Sequence, residues 1–238
     1  MPQDIVLLTA IAMLITNGAG LWVSLRVAGA KSDNSTGQPL TDRKTLVSRL
    51  PLIVGNLVVL TSISLFALHH FREIFHWETP LWHVAALQLL WISFADDFVF
   101  YFYHRFLHLN RFAYKHIHRI HHRAHAPVPI EYIYVHPLEW VGGSSGPVLG
   151  FLALYLLHGE LSAWVFLAYS IYRPVHELSI HSGRKSRLRA RIGAFATPQH
   201  HGFHHSRPND GNYAATYVLW DRLLGTEVTE ETPHAQSG

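Results

Sequence analysis

The sequence predicts an all-α protein: a membrane-anchored helical bundle of about four spans, or three spans plus a re-entrant hairpin, under a cytoplasmic histidine-rich helical cap. Three observations predict it. Several apolar stretches reach or approach the roughly 20 residues a helix needs to cross a bilayer. Of the 238 residues, 49% are hydrophobic and only 15% charged, and the mean hydropathy is +0.11. Nine histidines fall in three tight groups with helical spacing: His104 and His108; His118, His121 and His122; His200, His201, His204 and His205.

Taken in order, the first apolar stretch covers residues 5–28. It lacks the cationic start of a signal peptide and reads as a span that Asn17, Gly18 and Gly20 weaken. A polar, turn-rich link over 31–44 follows. The second span is 50–71. The third, 81–103, is rich in aromatics, carries Asp96 and Asp97, and leads straight into the first histidine group. Residues 104–136 are too polar to cross a membrane. Apolar sequence resumes over 137–157, interrupted by a Gly/Ser-rich break at 142–147, and again over 161–172. These last two stretches read either as a re-entrant hairpin or as two short tilted spans. From His176 the chain is polar, and it ends in an acidic, frayed tail. The whole reads as one domain, 1–238: N-terminal spans in 1–80, a catalytic core in 81–227 and a disordered tail in 228–238.

Composition narrows the chemistry. The chain has no cysteine, which excludes disulfides, cysteine-held iron–sulfur clusters and thiolate haem. The net charge of +3 is small. Five basic residues crowd into 184–191, but beside apolar spans such a run marks a cytoplasmic membrane flank rather than a nucleic-acid site. The links at 26–49, 105–123 and 173–222 hold eighteen of the nineteen Lys and Arg residues, and the opposite links hold only Arg72. The positive-inside rule therefore puts the histidine region in the cytoplasm.

Residues three or four apart share a helical face. His104 pairs with His108 in this way, His118 with His121 and His122, and His201 with His204 and His205 where Gly202 permits a helix. Each group can then offer two or three imidazoles to one point, and neutral imidazole suits iron, zinc, copper and nickel. Eight such ligands exceed what one tetrahedral ion uses, so two metals are the simpler reading. Asp97 stands seven residues before His104, about 20° from it around a helix. It is the candidate to accept the outer N–H of a ligand histidine; Asp96 faces elsewhere.

These motifs carry a resemblance. His104-x-x-x-His108, His118-x-x-His121-His122 and His201-x-x-His204-His205 resemble the three histidine boxes of the membrane fatty acid hydroxylase and sterol desaturase superfamily. The stretch 131–139 resembles the segment after the second box in C-4 methylsterol oxidases, Ile180-His181-Ser-Gly183 a further histidine motif there, and 211–226 the segment after the third box. The match covers about residues 95–227.

The resemblance implies a di-iron site with histidine ligands and O2-dependent hydroxylation or desaturation of a sterol or fatty-acyl lipid. It also implies ligands beyond the boxes, His181 first and His136 and His176 behind it. His176 to His181 is one residue too long for the H-E-x-x-H zinc-protease motif. His125 and His200 are spare neighbours. His69, His70, His76, His83 and His158 lie at far-side span ends, and His234 is idle in the tail. Asn212 and Tyr213 are expected to hydrogen-bond the third group, while Trp220, Asp221, Arg222, Gly225 and Thr226 close the site structurally. Electrons must come from outside, from a cytochrome b5-like or ferredoxin-like donor with its reductase, which the basic run 184–191 would dock. The competing readings are a non-redox membrane metal-binding or transport protein, whose ionisable residues would be spread through its spans, and a zinc hydrolase, which needs only three protein ligands.

Overall fold

The computed structural model describes residues 4–30, 38–184, 193–207 and 210–232. Four helical stretches in it are long and apolar enough to cross a membrane: Ile5–Val27, Arg43–Ile74, Trp82–Leu109 and Pro137–His158. They correspond to α1 (Ile5–Val27), α2 (Arg43–Phe71) with a 3-10 turn after it, α3 (Trp82–Leu109), and the consecutive α5 (Pro137–Gly143) and α6 (Ser145–His158). Short α4 (Arg111–His116) follows α3; α7 (Ala163–Ile180), α8 (Pro198–Ser206) and α9 (Leu219–Leu223) complete the chain. The large exposed side chains of the spans are apolar, Leu14, Phe66 and Leu156 among them, as a surface facing lipid rather than water requires.

Two of the next elements, α3 and α7, run further than the apolar pattern foretells, and one break falls where that pattern puts it. α3 continues past residue 103 to Leu109, so His104 and His108 sit on its last two turns. α5 and α6 meet at a break at Ser144, inside the predicted interruption. α7 does not stop near residue 172; it passes Pro174 and reaches Ile180, with His181 as its C-cap. Hydropathy fades along α7 because Arg173, His176 and Glu177 face the bundle interior rather than lipid. Taken together, α5 and α6 (Pro137–His158) are long and apolar enough to cross a membrane as one stretch. α6 completes a full-length apolar stretch and α7 returns beside α1 and α3.

The polar residues that mar α1 as a span are its contacts with the cap. Asn17 Oδ1 accepts the Tyr132 hydroxyl at 2.7 Å, and the Ser24 hydroxyl accepts the Ile130 N–H at 2.8 Å. A Cβ on Gly20 would lie 2.5 Å from the Leu178 side chain of α7. On α2, buried Asn56 donates to the carbonyls of Ile133 and Val135 at 3.0 and 2.8 Å. Otherwise misplaced polar groups of two spans thus pin one 3-10 segment, Pro129–Ile133, against the bundle. Arg49 of α2 closes the same corner by pairing with buried Glu131 and donating to the Arg123 carbonyl at 2.7 Å.

At the opposite end, two-residue strands β1 (Phe75–His76) and β2 (Leu161–Ser162) pair in parallel. Beside them Ile5, Leu68 and Ala163 form a small buried cluster. That pairing fixes where α7 starts, and so where its far end, His181, arrives.

α6 packs on α3 backbone to backbone. A Cβ on Gly146 would lie 2.7 Å from both the Cα and the carbonyl oxygen of Asp96, whereas one on Gly55 of α2 would meet nothing within 4 Å. Gly146→Ala is expected to lower stability by about 1–3 kcal/mol through overpacking. Gly55→Ala should be neutral or slightly stabilising. Unfolding midpoints of the two variants in detergent check this.

Candidate metal centre

Four pieces of chain converge at one end of the bundle. α3 supplies His104 and His108. Asn110 then ends α3 and starts α4, its Oδ1 accepting the N–H groups of Phe112 and Ala113 at 3.1 and 3.0 Å. This sharp turn folds the 3-10 stretch His118–Arg123 back onto α3. α7 delivers His181. α8 begins with Thr197, whose hydroxyl accepts the His200 N–H at 3.1 Å, and Pro198 occupies its first position, a favoured helix start.

The side chains assemble into two groups. In the first, one nitrogen each of His104, His108, His118, His122 and His204 lie within 4.8 Å of one another; in the second, the same holds for His121, His181, His201 and His205. All but His108 are buried residues, and its nitrogen lies within the buried cluster. The groups adjoin: the His122 and His205 rings are 5.1 Å apart and the His118 and His121 rings 5.6 Å.

The second and third sequence motifs do not each converge on one point, as their spacing suggested. Each is divided. His118 and His122 join the first group and His121 the second; His204 joins the first and His201 with His205 the second. The reason is elementary. Neighbouring residues point about 100° apart on an α-helix and about 120° apart on a 3-10 helix, so His121 and His122, or His204 and His205, cannot face the same spot. An adjacent pair of histidines on one turn instead serves two adjacent spots.

Burial, reinforced by the neighbouring imidazoles, pushes His118, His122, His201 and His204 well below the ordinary histidine range. The same holds for His121 and His205. These rings are neutral, with a lone pair free to bind. Backbone carbonyls choose which nitrogen. His104 Nδ1–H donates to Tyr213 at 2.7 Å, His204 Nδ1–H to Gly211 at 2.8 Å and His181 Nδ1–H to Glu177 at 2.8 Å. Each therefore turns an unprotonated Nε2 inward.

This donor set fits metal ions. His204 Nε2 is buried with no hydrogen-bond partner among the described residues. His118 Nε2 lies 3.0, 2.8 and 2.9 Å from the Nε2 atoms of His104, His108 and His122, and a single N–H cannot serve three acceptors. Nitrogens bound at about 2.0–2.1 Å around one ion sit roughly 2.9–3.4 Å apart along each edge of its polyhedron, close to these separations.

Behind the imidazoles stand buried acids. Asp97 has no hydrogen bond to a histidine among the described residues; its carboxylate accepts the N–H groups of Ala215, Thr216 and Tyr217 at 3.2, 2.6 and 3.0 Å. Asp221 accepts those of Tyr213 and Ala214 at 2.9 and 3.0 Å. The strand of backbone they grip carries the Tyr213 carbonyl that orients His104, so Asp97 acts one link further away than its spacing from His104 implied. Tyr213 serves the first histidine group rather than the third. Asn212, at φ +58°, bonds the His200 carbonyl at 2.9 Å and no imidazole. Two acids were not singled out by sequence. Glu139 Oε2 lies 3.0 Å from His118 Nδ1 without hydrogen-bond alignment, and Glu177 pairs with Arg173, which also donates to Asp96 at 2.5 Å. An acid inside an apolar run was the available signal for Glu139.

The other expected residues fall outside both groups. His136 caps α5, its Nδ1 accepting the Leu138 N–H at 3.2 Å. His176 lies 2.8 Å from the Ala215 carbonyl and stacks on Tyr172. His200 is 3.3 Å from Asp221, and His125 is exposed. The basic run from residue 185 and His234 lie outside the described residues.

His104, His121, His181 and His201 face a cavity of about 350 Å³ that reaches down between the spans to Thr9, Leu60 and Ser64. Its walls are mainly apolar, among them Phe100, Ile133, Trp140 and Phe166.

A profile described as fatty acid hydroxylase matches residues 89–226, a stretch that contains every member of the two histidine groups. The chain belongs to the fatty acid hydroxylase family. Within that family's wider kin, Methylsterol monooxygenase 1 of Rattus norvegicus is 35% identical over 187 residues, 76% of this chain and 57% of that protein. Its counterpart from Gallus gallus is 32% identical over 182 residues, covering 75% and 56%. Very-long-chain aldehyde decarbonylase GL1-11 of Oryza sativa subsp. indica is 31% identical over 156 residues, covering 62% and 55%. The chain spans little more than half the length of these relatives. No solved structure matches it.

Two outcomes are expected of substitutions here. His118→Ala and His201→Ala should each remove about half of the bound metal, because each belongs to one group only; elemental analysis of the purified variants reads this. Asp97→Ala leaves three buried N–H groups unpaired at about 1–3 kcal/mol each, so its unfolding midpoint should fall well below that of Asp97→Asn, which keeps one acceptor.

Proposed function

We propose that the chain is a membrane di-iron oxygenase that uses O2 to hydroxylate or desaturate a lipid, a sterol in first place. The observation that carries this is the pair of adjoining groups, five histidines and four, at the mouth of an apolar cavity within a membrane bundle. His104, His108, His118, His122 and His204 would hold one iron; His121, His181, His201 and His205 would hold the other. When bound, iron and O2 supply the oxidising power that no side chain possesses.

The rest is the work of the chain. Backbone carbonyls of Tyr213, Gly211 and Glu177 hold His104, His204 and His181 with Nε2 inward. The apolar walls desolvate a lipid and align it along the bundle. The two groups lie at one end of that cavity, so only the part of the lipid nearest that end meets them, and the fit of the remainder decides which carbon is oxidised. Hydroxylation and desaturation differ in whether oxygen returns to that carbon or a second hydrogen leaves. Electrons come from a separate donor of the cytochrome b5 or ferredoxin kind, served by its own reductase. The concentration of basic residues in the links at this end supports a cytoplasmic face for it.

The names of the methylsterol monooxygenases favour a sterol; the aldehyde decarbonylase keeps an acyl-derived lipid as the second reading. A non-redox metal-binding or transport role is disfavoured by the collection of ligands at one end of the bundle instead of along it. The test is anaerobic purification followed by metal analysis and O2 uptake with a lipid extract and a reductant. About two irons per chain with uptake that needs both lipid and reductant is the expected result. One tightly bound zinc and no uptake would overturn the proposal.

A further inference from the structure

We propose that Phe151 sets the length of lipid the bundle accepts, by closing the far end of the histidine-lined cavity against a second cavity behind it. The inference rests on the lipid-oxidation reading for what fills the first cavity. Phe151 lies in the wall of both cavities. It is in the middle of α6: seven residues, about 10 Å of helix, separate it from His158 at the end of that helix. Its ring packs against Phe166 and Tyr169 of α7, with centroids 5.2 and 5.7 Å away. Three aromatic rings thus form the partition.

The spaces on its two sides differ in kind. The histidine side is mainly apolar. The far side holds about 200 Å³ between Gln88, Leu154, Val165 and the β1–β2 pair. The buried Ser162 hydroxyl and His76 Nδ1 there have no hydrogen-bond partner among the described residues. A hydrocarbon end that pushed past Phe151 would have to displace a packed ring and then lie against unpaired polar atoms, which cost free energy when cut off from water. A plain hydrocarbon end therefore stops at the partition. Because the reacting carbon sits at the histidines, the position of Phe151 fixes how much lipid can extend beyond that carbon. Removing the ring joins the two spaces; enlarging it shortens the first.

The test uses the full-length, metal-loaded protein in detergent, incubated with an equimolar mixture of straight-chain primary alcohols graded from lauryl to ceryl. Alcohols retained after gel filtration are identified by gas chromatography. Wild type should retain lengths up to a cut-off. Phe151→Ala should move the cut-off several carbons longer, and Phe151→Trp should move it shorter, with unchanged metal content. Overturning results are an unmoved cut-off in both variants at wild-type unfolding midpoints, or no length discrimination by wild type. The measurement needs no reductant and no turnover. Absence of lipid oxidation would sink the proposed function while leaving the cut-off readable, and an unmoved cut-off with oxidation intact would sink only the role of Phe151.

Discussion

Nine imidazoles crowded together with ring nitrogens facing inward are the constraint on which the molecule depends. In water each nitrogen would be hydrated. Here the rings are packed together, and their inward nitrogens lie 2.8–3.2 Å apart within the first group, more contacts than their N–H groups can satisfy. Buried polar groups without partners cost about 1–3 kcal/mol each. Cations shared among them remove that penalty. Metal binding at this end of the bundle would therefore be coupled to folding.

The remainder of the structure brings the imidazoles there and keeps them from turning. The β1–β2 pair at the far end sets the start of α7 and thereby the place of His181. Asn110 reverses the chain after α3 so that His118–Arg123 packs against it. Asp97 and Asp221 grip consecutive backbone amides from Tyr213 to Tyr217 and hold the carbonyl that orients His104. Asn17, Ser24 and Asn56 draw the 3-10 segment Pro129–Ile133 down onto α1 and α2, and that segment walls the cavity. Polar groups inside the spans thus serve the site or the segments that support it, as expected of groups that are costly in a membrane.

Much of this was legible in the sequence. The spans follow from apolar runs, and the histidine motifs are visible as such. What one dimension hides is convergence. Spacing puts His118, His121 and His122 on one side of a helix, but it cannot tell that a second helix divides them between two centres. His181 came from a resemblance, not from its spacing, because its partners arrive from α8 and the 3-10 turn. His136 and His176 show the opposite failure: histidines among the right neighbours that the fold uses as a helix cap and as a brace on the Ala215 carbonyl. α7 was cut short because Arg173 and Glu177 lower its hydropathy, although Asp96 on α3 and Tyr169 on α7 provide the buried polar company that lets them stay in the bundle.

The central claim is that two irons share this cluster, each held by imidazoles from several helices. Iron-edge X-ray absorption on anaerobically purified protein reads it most directly. The expected spectrum has a first shell dominated by nitrogen at about 2.0–2.2 Å with the outer-shell scattering of several imidazoles per iron. A shell dominated by oxygen, with one imidazole or none for each iron, would contradict it.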